Sequence, residues 1–151
     1  MALKLTREQR ERMLAEPYVG VLSVAAEDGR APLTVPIWYG YRPGGLVTVI
    51  TSPASRKARL IAEAGRFALC AQETSAPYRY VTAEGPVVEV RAATEEERLA
   101  MAARYMSREL AAAYVEMTRE VQSDNVVIAM RPARWHTADF SDLADRLPVG
   151  R

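Results

Sequence analysis

One short stretch, TSPASRKARL at residues 51–60, concentrates groups able to hold an anion. It places hydroxyls at Thr51, Ser52 and Ser55 and cations at Arg56, Lys57 and Arg59, where a β-rich run gives way to helical spacing. A helix N-terminus presents unpaired N–H groups and the positive end of the dipole, which together favour a phosphate. Arg adds a fork of donors and Lys a compact point charge. The same residues also suit a plain helix start, with Ser55 as the cap and the cations on a solvated face.

Two further stretches carry aromatic and cationic side chains. In VPIWYGY (35–41), Pro36 removes a ladder donor, leaving backbone groups around Val35 and Ile37 free to meet a planar ring. Trp38 could stack on such a ring, or it could be an ordinary core or interface tryptophan. In PYRYVTAEG (77–85), Tyr78, Arg79 and Tyr80 either form a stacking and anion-contact surface or are the amphipathic half of an alternating strand. Cys70, in FALCA, reads as a buried small hydrophobe with no base near it in sequence. His136 reads as structural, with haem ligation or proton donation as the sharper alternatives. One Cys and one His exclude an internal disulfide and leave few ligands for zinc, so no metal site is expected. GxSxG, HExxH and Walker patterns are absent from the sequence, and no catalytic residue stands out.

The balance of 20 Lys and Arg against 19 Asp and Glu argues against nucleic acid as a partner. Hydrophobic residues at 49% and charged residues at 26% are those of a globular protein, and 151 residues suit a single domain over 1–151. MALKLTREQRERM turns charged before any apolar run, and no run approaches the ~18 apolar residues of a membrane helix. The expectation is a cytoplasmic protein with no membrane span.

The elements that must position these residues follow from local pattern. Thr6 and Gln9 fit a capping box for a first helix that Pro17 stops. Strands are expected from Tyr18, with EDGR (27–30) as a turn, then over 31–41, with Pro36 implying an edge or bulge. RPGG (42–45) reads as a hairpin turn into a strand at 46–51. A helix over 55–65 ends at Gly65, followed by strands at 66–74 and 78–91, the latter kinked at Gly85-Pro86. Thr94 and Glu97 form a second capping box. Leu99, Ala102 and Met106, then Leu110, Tyr114, Met117 and Val121, predict two helices packed through those faces. VVIAM (126–130) and RWHTADF (134–140) read as one long strand bent at Pro132. Hairpin-linked strands without βαβ alternation predict an α+β fold, an antiparallel split β-barrel with a few peripheral helices.

Together, DGRAPLTVPIWY (28–39), TSPASRK (51–57), FALCAQE (67–73) and PYRYVTAEGPV (77–87) resemble the pyridoxamine 5′-phosphate oxidase-like superfamily of flavin and deazaflavin-binding split barrels. The resemblance implies that Thr51, Ser52, Ser55, Arg56 and Lys57 hold a cofactor phosphate and that Val35, Pro36, Ile37 and Trp38 lie along the ring. PYRYV resembles the actinobacterial branch that uses the deazaflavin coenzyme F420. The oxidase proper usually carries Arg-Gln where this chain has Arg79-Tyr80, and its Arg-rich C-terminal segment is not reproduced. Family members are typically homodimers with sites at the interface, so Tyr78, Arg79 and Tyr80 would reach the partner's cofactor. The implied function is hydride transfer from reduced F420 to an unsaturated small molecule such as a quinone, an enone or a tetrapyrrole. The alternatives are an FMN-binding reductase or oxidase, and a non-catalytic cofactor carrier or a haem binder using His136.

Overall fold

The computed structural model describes residues 3–148. Helix α1 (Arg7–Ala15) starts at the expected capping box: Gln9 N–H donates to the Thr6 hydroxyl, and Thr6 N–H donates to the Gln9 side chain. There follow β1 (Gly20–Val24), β2 (Leu33–Ile37), β3 (Val47–Thr51), α2 (Arg56–Ala64), β4 (Arg66–Gln72) and the long β5 (Tyr80–Ala92). Then come α3 (Glu95–Ala103), α4 (Arg108–Met117), the short α5 (Arg119–Gln122), β6 (Val126–Met130), β7 (Arg134–Ala138) and α6 (Ser141–Ala144). Both helix starts read from sequence are present: Ser55 caps α2, and Thr94 with Glu97 boxes α3.

Every ladder is antiparallel, in the order β2-β1-β4-β5-β6-β3, with β7 also on β5. The sheet curls until a bridge between Gly40 and Thr48 joins the chain after β2 to β3. The result is the expected α+β split barrel. Alternation selects its interior, as in β1 and β3, where every second residue is buried. Leu22, Val47, Val49, Leu69, Val81, Ile128 and Met130 fill it, closed from outside by Leu14, Leu60 and Ile61. Each such side chain contributes roughly 1.5–3 kcal/mol on burial.

The stretch read as one long strand is two, β6 and β7, which follow each other along β5 with residues 131–133 outside both. Glu84 faces Arg134 and Val87 faces Met130 across β5, and the ladder continues through the bend by Arg131 N–H to Pro86 O (3.0 Å) and Ala133 N–H to Glu84 O (2.8 Å). Gly85 permits this approach: a Cβ there would sit 1.8 Å from the Arg131 carbonyl oxygen. The β5 irregularity lies just after the glycine, between Val87 and Glu89.

Two further expectations need correction. RPGG does form a turn, but the hairpin it closes is a single bridge, because β3 pairs with β6 and buries Val47 and Val49 opposite Met130 and Ile128. The helical pair is not packed through Leu110, Met117 and Val121, which are 61%, 84% and 80% exposed. Ala111 and Val115 turn inward instead, since small side chains let α4 lie close to α3. Met106 falls beyond the end of α3.

Candidate functional site

Thr51 closes β3 and is buried. Its hydroxyl lies 3.3 Å from that of Ser55, which donates to Ser52 O (2.8 Å) and accepts from Ala58 N–H (3.2 Å). The Ser55 hydroxyl is therefore occupied as an N-cap, as in the plainer reading of the stretch. The next N–H groups, on Arg56 and Lys57, have no partner among the described residues and open the first turn of α2 outward.

The cations of this turn separate into two kinds. Arg56 and Arg59 both grip Glu27, at 2.8 and 3.2 Å, from the turn between β1 and β2. The Arg56 hydrogen bond is the main reason the Glu27 carboxyl is held down to about 2. Lys57 is half-buried and makes no ion pair among the described residues. Glu27 was legible only as turn chemistry, because nothing local says that a carboxylate 29 residues away will meet Arg56.

Val35 and Ile37 pack on the core from the edge strand β2, while Pro36 sits exposed opposite Val21. Trp38, just beyond the strand, is stacked on Tyr105 with centroids 5.1 Å apart and planes 9° from parallel, and Tyr114 leans on it at 5.6 Å. One face of the indole is thus already covered. The Tyr105 hydroxyl accepts from Tyr39 N–H (3.1 Å) and points to Tyr18 O (2.9 Å), fixing the end of α3 against the chain after β2. Tyr39 itself is fully buried and donates to Leu14 O at 2.7 Å; burial pushes its phenol well above the ordinary range. Beside this cluster, an open cleft of about 610 Å³ runs between β3 and α3, lined by Gly40, Thr48, Ile50, Met101 and Arg104.

At the tip between β4 and β5, Tyr78 and Tyr80 are 49% and 37% exposed. Tyr78 takes a left-handed φ of 59°, so the strand starts only at Tyr80. Arg79 is not free: its Nε lies 3.1 Å from a Glu73 carboxylate oxygen, and Glu73 also accepts from Arg79 N–H (3.3 Å) and the Tyr18 hydroxyl (3.3 Å). The bond from Arg79 holds the Glu73 carboxyl below its usual range. Within one chain this tip and the 51–57 turn are not brought together. Tyr80 opens β5, whereas Thr51 is level with Val126, which faces Ala92 at the other end of β5. A strand of that length runs about 40 Å before bending. Cys70 is half-buried opposite Thr82, and His136 is exposed on β7.

An antiparallel split barrel carrying a capped strand-to-helix turn defines a class, and residues 5–139 match the pyridoxamine 5′-phosphate oxidase family. The chain belongs to that family. Among solved structures, an F420 reductase superposes with a TM-score of 0.67 at 22% identity, over 83% of this chain and 94% of its own. A conserved hypothetical protein from Mycobacterium tuberculosis gives 0.74 at 18% identity, over 97% and 91%. A FAD-binding protein from Mesorhizobium loti gives 0.64 at 17%, over 92% and 96%. These likenesses are of fold. No curated protein matches the chain. No helix among the described residues is long and apolar enough to cross a membrane.

Proposed function

We propose that this chain is a cytoplasmic oxidoreductase that binds F420 and passes a hydride to an unsaturated small molecule such as a quinone, an enone or a tetrapyrrole. The observation that carries the reading is the first turn of α2, where N–H groups of Arg56 and Lys57 without a partner among the described residues adjoin an ammonium that makes no ion pair among them. That donor set fits a phosphate monoester or diester. The F420 reductase sharing the fold supports the choice of cofactor.

When bound in its reduced form, a deazaflavin would supply a hydride, which carries both electrons, from its central ring. The protein's part is to hold and orient it. Lys57 and the α2 N–H groups take the phosphate, Thr51 and Ser52 shape the turn beneath it, and Ser55 keeps the helix start rigid. Arg56 joins by sharing its guanidinium between Glu27 and the anion. Val35, Pro36, Ile37 and Trp38 lie along the ring, with Trp38 held by Tyr105. No side chain is assigned as acid, so the product proton comes from water.

The site is completed by a second copy of the chain. Tyr78, Arg79 and Tyr80 lie too far along β5 to reach their own α2, and a dimer would bring a partner's tip to it. Apolar side chains exposed on β5 (Val88, Val90) and on α4–α5 offer area for such an interface. The same phosphate cradle would hold FMN, and the FAD-binding neighbour supports that second reading. Fluorescence titration of the cofactor-stripped protein with F420 and FMN in parallel decides between them. Tight F420 and weak FMN binding is expected; the reverse order would move the protein to flavin chemistry, and binding of neither would end the proposal.

A further inference from the structure

The start of α2 carries Arg56, Lys57 and Arg59, but little of that positive charge is free. One carboxylate holds two of them: Arg56 lies 2.8 Å from one oxygen of Glu27, and Arg59 lies 3.2 Å from the other. Arg59 also comes within 4.0 Å of Glu63, a turn further along the helix. Lys57 makes no ion pair among the described residues. Within this group, three cations against two carboxylates leave a surplus of one charge, and it sits on Lys57. Glu27 stays ionised near neutral pH, since the hydrogen bond from Arg56 holds its carboxyl down to about 2.

A phosphate diester carries one negative charge. A terminal monoester carries close to two near neutral pH, because its second proton leaves at about pH 6. Lys57 and the open N–H groups of the α2 turn match the first charge. The second would have to share Arg56 with a carboxylate that already holds it. We infer that Glu27 is a specificity-determining residue, which sets this turn for a phosphate diester, as in F420, and against a terminal monoester, as in FMN. Glu27 acts through Arg56 and Arg59 rather than by touching the ligand. The inference rests on the reading of the α2 turn as the phosphate site of the cofactor.

The test is fluorescence titration of the cofactor-stripped protein with two probes, 8-hydroxy-5-deazariboflavin 5′-phosphate and its monomethyl phosphate ester. They share one ring and differ by one phosphate charge at about pH 8. The wild-type protein should bind the methyl ester at least as tightly as the monoester. In Glu27→Gln the ratio of the two affinities should move towards the monoester by about fivefold at low ionic strength, the worth of one further charge pair at about 4 Å in water. The shift should shrink at about 0.5 M salt, where such a pair is screened. Both probes bound with the same ratio in the variant, or a shift of equal size at high salt, would overturn the inference and leave the phosphate site standing. Binding of neither probe to the wild-type protein would overturn both readings.

Discussion

The guanidinium of Arg56 lies 2.8 Å from the Glu27 carboxylate, so a side chain placed to meet an anion is already held by one from the same chain. Glu27 also reaches Arg59 at 3.2 Å and sets how much positive charge the first turn of α2 presents. Replacing it with Gln should release both arginines. We expect Glu27→Gln to tighten the phosphate-bearing cofactor several-fold, with little change in melting temperature because exposed pairs add little stability. Fluorescence titration at two salt concentrations checks this; unchanged affinity would show that Arg56 does not take part.

Ser55 and Lys57 are neighbours with different tasks, and their variants should separate. Ser55→Ala removes the α2 cap and should cost about 1 kcal/mol of stability in denaturant unfolding. Lys57→Ala should leave unfolding unchanged and weaken cofactor binding by more than ~1 kcal/mol in calorimetry. A Lys57→Ala protein with the original dissociation constant would remove that residue from the site.

Acid sensitivity should trace to Glu73. Its carboxyl is held below the ordinary value of 4.5, first by the hydrogen bond from Arg79, so its folded pKa lies under its unfolded one. Such a group contributes stability that is complete above about pH 4.5 and is lost as pH falls towards the folded value. Glu73→Gln should lower stability at pH 7 and flatten the decline below pH 4.5, as read from urea unfolding across pH. An equally steep decline in the variant would place the acid sensitivity elsewhere.

Gly85 should tolerate no side chain. With the Arg131 carbonyl oxygen 1.8 Å from an added Cβ, the backbone of β6–β7 would have to leave β5. Gly85→Ala should destabilise by about 3 kcal/mol or more, since backbone cannot step aside as a flexible side chain can. A melting temperature near wild type would mean that the two strands separate here at little cost.

The exposed Met117 and Val121 give the proposed dimer a direct check. Replacing both with Lys should shift the protein to monomer in sedimentation velocity and weaken the cofactor in parallel, if Tyr78–Tyr80 act across the interface. A dimer that survives the double change would assign contact to another face, with Val88 and Val90 on β5 the next to alter.

Local chemistry was readable from sequence wherever the partners are a few residues apart. The capping pairs Thr6–Gln9 and Thr94–Glu97, the Ser55 cap and the left-handed Gly65 that ends α2 all depend on contacts within one turn. In β1, β3 and β4 every second residue is buried, because a pleated strand offers only two faces. These short-range rules, with the motifs at 28–39, 51–57, 67–73 and 77–87, were enough for the fold and for the cap of α2.

What only the tertiary structure decided is which distant groups meet. Glu27 on Arg56, Glu73 with Tyr18 and Tyr105 against Trp38 all join separate elements. The exposure of Leu110, Met117 and Val121 belongs here too: helical spacing shows that apolar residues share a face, not whether that face meets the core. Spacing along a chain determines direction, whereas charge pairing and burial depend on what the curled sheet brings alongside.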